Sequence, residues 1–132
     1  MFLLDTNACI KILNSSSASL VSRLKGLHPS RIKLSSVVKA ELLYGARKSA
    51  RPAQNLRVLQ DFFHPFRSLV FDDLCSEEYG VLRTELERTG EPVGPYDMMI
   101  AATAIAYDLT LVTHNRDEFS RIAGLKWEDW EV

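Results

Sequence analysis

Cysteine is scarce in this chain. Cys9 and Cys75 are the whole complement, with no Cys-x-x-Cys and no Cys/His ligand spacing, so neither a zinc site nor a disulfide framework is indicated and a reducing cytoplasm is the expected compartment. Long apolar runs are also missing. None approaches the ~18 residues of a membrane span, and Met1-Phe2-Leu3-Leu4-Asp5 meets a charge before a signal-peptide core could form. A soluble, cytoplasmic protein with no membrane partner is expected. Six glycines and five prolines exclude a low-complexity chain, and no internal repeat is visible. An excess of charge of one sign is lacking as well: 16 Lys/Arg against 17 Asp/Glu leave a net −1, too little to hold a polyanion by bulk charge. What is present is an ordinary globular composition, 46% hydrophobic and 25% charged over 132 residues, which predicts one self-folding domain, 1–132.

The balanced total conceals a division. Residues 1–67 hold eleven Lys/Arg and three Asp/Glu, whereas residues 68–132 hold five and fourteen. Folding could gather Lys11, Arg23, Lys25, Lys33, Lys39, Arg47, Lys48 and Arg51 on one side as a polyanion surface, or spread them over a solvated exterior.

Short apolar runs alternate with helical patterns. Phe2–Leu4, Ile32–Leu34, Leu69–Phe71 and Leu109–Thr113 read as buried parallel strands. Helices are expected over Asn7–Leu13 and Leu20–Leu27, broken at Ser15-Ser16-Ser17, then over Val37–Lys48 and Asn55–Phe63, parted at Arg51-Pro52. Leu74–Arg88 is amphipathic and closed by Thr89-Gly90, and Tyr96–Tyr107 is small and apolar nearly all round, as a helix packed against a sheet must be. The fold class is α/β, with a parallel sheet of four to five strands.

Against this pattern, certain carboxylates are out of place. Asp5 directly follows the first strand, at the edge where ligands bind in open parallel sheets, although a helix cap would also explain Asp5 or Thr6. Glu41 interrupts the apolar helix Val37–Ala46. At about 100° per residue it shares a face with Val37, Val38, Tyr44 and Gly45, with Lys39 roughly 160° away as the solvent marker. An inward carboxylate needs a salt bridge, a proton or a metal. Asp97 opens the helix after Gly94-Pro95, where the helix dipole alone would favour it. After the last clear strand, Asn115, Asp117 and Glu118 offer a further polar group. Each position has a structural explanation taken singly, but together several segments send one acid each to one sheet edge. Carboxylates about 3–5 Å apart take up protons unless a divalent cation neutralises them, and oxygen ligands without Cys or His suit Mg²⁺, or Mn²⁺ in its place. Phosphodiester hydrolysis is the chemistry such a site favours.

The segments Asp5-Thr6-Asn7, Ser36-Val37-Val38-Lys39-Ala40-Glu41-Leu42-Leu43-Tyr44-Gly45, Gly94-Pro95-Tyr96-Asp97-Met98-Met99-Ile100-Ala101-Ala102 and Leu111-Val112-Thr113-His114-Asn115-Arg116-Asp117-Glu118-Phe119 resemble, in order and spacing, the motifs of PIN-domain ribonucleases. They closely resemble those of the VapC toxins of bacterial toxin–antitoxin pairs. The likeness runs over essentially the whole chain, including the ending Trp127-Glu128-Asp129-Trp130. It implies an α/β/α sandwich with a parallel sheet, and a Mg²⁺-dependent endoribonuclease that inhibits translation. It also implies a homodimer and a VapB-type antitoxin that neutralises the toxin and brings DNA binding. The acids it carries over are Asp5, Glu41 and Asp97, of which Asp5 and Asp97 hold metal, with Glu118 as the outer acid. Thr6 and Ser36 become neighbours orienting Asp5 and the water, Asn115 a hydrogen-bonding neighbour of Glu118, and Thr113 a further supporting group. The substrate it suggests is tRNA, with the initiator anticodon loop foremost. Two other readings compete. A phosphoacceptor module lacks its acidic doublet after the first strand and its lysine after the last clear one; a catalytically silent binding protein for RNA or a protein partner would have no need of the acids. His28, His64 and His114 read as turn or packing residues, and Trp127 and Trp130 as packing for the C-terminal segment.

Overall fold

Consecutive leucines in the first strand dictate the layering. Leu3 and Leu4 point to opposite sides of a strand, yet both are fully buried in the computed structural model, which describes residues 1–132. Leu111 and Val112 repeat the pattern, so both sheet faces are covered by helices. Five strands, β1 (Phe2–Leu4), β2 (Ile32–Ser35), β3 (Arg67–Leu69), β4 (Thr110–Val112) and β5 (Trp127–Glu128), form one sheet in the order β3-β2-β1-β4-β5. All pairings are parallel, with Phe2 opposite Ile32, Leu4 opposite Val112, Leu34 opposite Ser68 and Val112 opposite Glu128. The strand order reverses between β1 and β4, and at such a switch point the loops diverge and leave a crevice at the carboxyl edge.

The helices are α1 (Thr6–Leu13), α2 (Ala18–Lys25), α3 (Ser36–Lys48), α4 (Pro52–Phe63), α5 (Asp73–Thr89), α6 (Pro95–Ala106) and α7 (Arg116–Phe119). Local signals set most of their ends. Ser17 accepts from Leu20 N and caps α2, Pro52 opens α4, and Gly90 closes α5 in the left-handed conformation, at φ +72°, that glycine adopts without strain. Along α6, Ile100, Ala101, Ala102, Thr103 and Ala104 are all fully buried, and side chains this small let the helix approach its neighbours closely. No helix is long and apolar enough to cross a membrane. Cys9 and Cys75 are buried free thiols.

Two expectations are corrected, and one open alternative is narrowed. The third strand is Arg67–Leu69, not Leu69–Phe71, because pairing with Lys33–Ser35 selects its register rather than the apolar run. Tyr44 does not share an inward face with Glu41: it is 67% exposed, while Lys39 is half-buried with its ammonium 4.8 Å from the Phe63 ring. The returning helix α4 covers the stem of Lys39 and turns the buried face of α3. Nor do all the cations of the first half gather as one free surface, since Lys11 is tied to Glu131 at 2.6 Å and Arg23 to Glu128 at 3.3 Å.

Candidate active site

Asp5 leaves β1 as the N-cap of α1. Its Oδ1 accepts from Ala8 N at 2.7 Å, and its own amide donates to Val112 O at 3.1 Å. Capping and a place in the site are therefore the same conformation, and neither excludes the other. Burial leaves Asp5 4% exposed and raises its pKa, against the opposing hydrogen bonds from Thr113 and Ala8. Thr113, at the end of β4 across the switch point, also accepts from Asn115 N at 3.0 Å. It thus joins the β1 and β4 edges.

Glu41 stands half-buried on α3, and Thr6 Oγ1 donates to its Oε1 at 2.8 Å. The expected role of Thr6 beside Asp5 is corrected: Thr113 bonds Asp5, whereas Thr6 holds Glu41. Ser36 lines a cleft of about 610 Å³ together with Glu41, Tyr44, Tyr96 and Met99. Asp97 is in the first turn of α6, where free amides and the helix dipole favour a carboxylate. Of the three candidates after β4, Glu118 is half-buried and hydrogen-bonds Asp97, and its Oε2 accepts from Asn115 Nδ2 at 2.8 Å. Asp117 is exposed. One helical turn thus separates the acid that joins the cluster from the one that faces water.

Electrostatics couples the four acids. Burial first, then the hydrogen bond and charge of Glu118, then the charges of Asp5 and Glu41, push Asp97 up to about 7. At neutral pH part of the cluster therefore holds a proton, as carboxylates without a cation must. Lys11 acts on Asp5 but is already paired to Glu131. The donor set is all oxygen, with neither imidazole nor thiolate, and fits a hard divalent cation. No three of these acids bring an oxygen each within 4.8 Å of one another. Mg²⁺ is ordinarily held by one or two carboxylates and several waters, so it does not require a closed protein cage. A tighter trio, His114, Asp129 and Glu131, has its ligand atoms all within 4.8 Å, but Arg116 and Lys11 already neutralise its carboxylates.

The C-terminal network around Asp129 is absent from the sequence reading. The ending Trp127-Glu128-Asp129-Trp130 marks it in the sequence, but only the pairing of β5 beside β4 brings Asp129 to His114 and Arg116.

Comparison with known proteins gives the family of this fold. The model of the PIN domain matches residues 2–125. A tRNA(fMet)-specific endonuclease VapC of Shigella flexneri is 43% identical, over 98% of this chain and 97% of its own length. Among solved structures, DNA-bound VapBC from Salmonella typhimurium aligns with a TM-score of 0.92 at 43% identity, covering 98% of this chain and 97% of that one. VapBC2 from Rickettsia felis, bound to a DNA fragment from its promoter, aligns with a TM-score of 0.91 at 40% identity over 98% of both chains.

Proposed function

The chain belongs to the PIN-domain family, among its VapC ribonucleases, and we propose that it is a Mg²⁺-dependent endoribonuclease toxin, neutralised by a VapB-type antitoxin, that cuts tRNA and thereby stops translation. The observation that carries this reading is the convergence of Asp5, Glu41, Asp97 and Glu118 from four segments onto one carboxyl edge, with Asp97 and Glu118 hydrogen-bonded and Thr6 on Glu41. Initiator tRNA is the substrate class of choice, because the relative from Shigella flexneri named for tRNA(fMet) matches nearly the full length of this chain. Solved VapBC complexes bound to DNA support an antitoxin that supplies the DNA contact. A homodimer and a cytoplasmic location complete the proposal.

The residues divide the work by geometry. Asp5 and Asp97 would hold the cation, with Glu41 and Glu118 completing the acidic surroundings. When bound, Mg²⁺ supplies an acidified water and charge stabilisation at the phosphate. Thr6 fixes one oxygen of Glu41 and leaves the other free to receive a proton from the attacking water. Thr113 and Asn115 hold Asp5 and Glu118 in place, so that little reorganisation is needed as charge develops. Cleavage is tested by incubating protein freed of antitoxin with total bacterial RNA in Mg²⁺ and in EDTA, beside Asp97→Asn, and mapping every new end. New ends confined to wild type in Mg²⁺ are expected, among them an end in initiator tRNA. No Mg²⁺-dependent end from a folded, metal-binding protein would overturn the reading.

A further inference from the structure

The carboxyl end of β4 carries two nitrogen-bearing side chains that the acid cluster does not use. Over Thr113–Arg116, partners alternate: Thr113 and Asn115 meet Asp5 and Glu118, whereas His114 and Arg116 meet Asp129. Only 5% of the Asp129 side chain is exposed. Its Oδ2 accepts from Arg116 Nε at 2.9 Å and is 2.9 Å from His114 Nδ1, and its Oδ1 accepts from Glu131 N at 2.9 Å. One nitrogen of each side chain is thereby committed inward. The two terminal amino groups of the Arg116 guanidinium and His114 Nε2 are left for solvent, and both side chains remain about half exposed, at 52% and 50%.

A surface tether has no need of an arginine fixed in this way. Arg116 is two residues from Glu118 and beside Asn115, which bonds Glu118, so a freely moving guanidinium would be drawn to the acid cluster. Asp129 holds it away and presents its planar fork outward, a shape that matches a phosphate by two parallel hydrogen bonds. The cluster that would cut RNA is negative and repels the strand, so a cation fixed at its rim supplies the missing attraction. We propose that Arg116, oriented by Asp129 and flanked by His114, binds a backbone phosphate of the RNA strand neighbouring the one cleaved. The inference rests on the ribonuclease reading above. Arg116 binds, and Asp129 is a positioning residue that acts through it.

The test measures binding without turnover. The full chain carrying Asp97→Asn is titrated with a fluorescently labelled single-stranded RNA of mixed sequence, about 20 nucleotides long, over KCl from about 50 to 300 mM. Arg116→Gln should weaken binding by about 3- to 10-fold at low salt and flatten the slope of log Kd against log salt by about 0.7, the loss of one phosphate contact to a single strand. Arg116→Lys should restore the slope but only part of the affinity, because the charge returns without the fork. Asp129→Asn keeps both Arg116 and His114 and should still weaken binding. An unchanged slope in Arg116→Gln overturns the proposal, whether the melting temperature falls, as a mere tether of the C-terminal segment requires, or affinity for a protein partner falls instead. Because nothing is cut in this assay, its outcome is independent of whether wild-type protein cleaves RNA.

Discussion

Replacing Asp97 by asparagine should stabilise the metal-free protein while disabling it. With burial, Glu118, Asp5 and Glu41 acting together, the carboxyl is pushed from the ordinary 3.8 up to about 7. The folded state therefore binds this proton more tightly than the unfolded chain, and stability falls as pH rises from about 4 to 7. A displacement of about three pH units at about 1.36 kcal/mol each sets a ceiling of about 4 kcal/mol. Since Asp97 is half exposed, solvent screening reduces this to about 1–2 kcal/mol. Asparagine has the same shape, can donate to Glu118 as the protonated acid does, and carries no charge to repel its neighbours. In EDTA at pH 8, Asp97→Asn should melt above wild type by about 3–8 °C, and the difference should shrink at pH 5. Added Mg²⁺ should raise the melting temperature of wild type, more at pH 8 than at pH 5, and leave the variant nearly unmoved. Calorimetry at both pH values with MgCl₂ titration reads all of this. A variant that melts below wild type in EDTA at pH 8, or by the same margin at both pH values, would refute the account of the cluster as mutually repelling acids awaiting a cation.

Thr6→Val removes the 2.8 Å donor to Glu41. A hydrogen bond to a charged group is worth about 1.5–3 kcal/mol, so cleavage should slow by about 10- to 100-fold with the melting temperature nearly kept, and Thr6→Ser should recover most of the rate; wild-type kinetics in Thr6→Val would show that Glu41 is held by other means. Trp130→Ala should cost about 3–5 kcal/mol of stability in urea unfolding, because the indole is 1% exposed, meets the Phe2 ring edge-on at 5.0 Å, lies under Arg23 and donates to Glu128 at 3.0 Å. A loss under about 1 kcal/mol would mean that the C-terminal segment is not part of the core.

Local signals carried the elements whose causes are local. The alternation of short apolar runs with helical patterns, the serine, proline and glycine punctuation and the small residues of α6 place β1, β2 and β4 and the helices to within a few residues, since capping, φ restriction and side-chain volume act over one or two turns. The acids were legible for the same reason: a carboxylate after an apolar strand or inside an apolar helix conflicts with its immediate surroundings, and the conflict is visible without a fold. The register of β3 was not, because Arg67–Leu69 is defined by the partner Lys33–Ser35. Nor was β5, whose two residues are too few to show a period and exist as a strand because β4 offers an unpaired edge. The helical wheel placed Val37 and Val38 inward correctly but misplaced Tyr44 and Gly45, which are exposed, since a wheel assumes one continuous burying surface and α3 is packed unevenly between the sheet, α1, α4 and α6.

The sequence by itself determined the class of fold and singled out the four acids and the oxygen-only character of the candidate cluster, all properties of residue type and short spacing. Tertiary structure decided the partners: Thr6 on Glu41 rather than Asp5, Glu118 rather than Asp117 beside Asp97, and Asp129 beneath His114 and Arg116. These contacts join residues far apart in the chain: Thr6 meets Glu41 because α1 and α3 follow the adjacent strands β1 and β2, and Asp129 meets His114 and Arg116 because β5 closes beside β4. A hydrogen bond formed across a sheet edge depends on where two distant backbones come to lie, and only the folded chain specifies that.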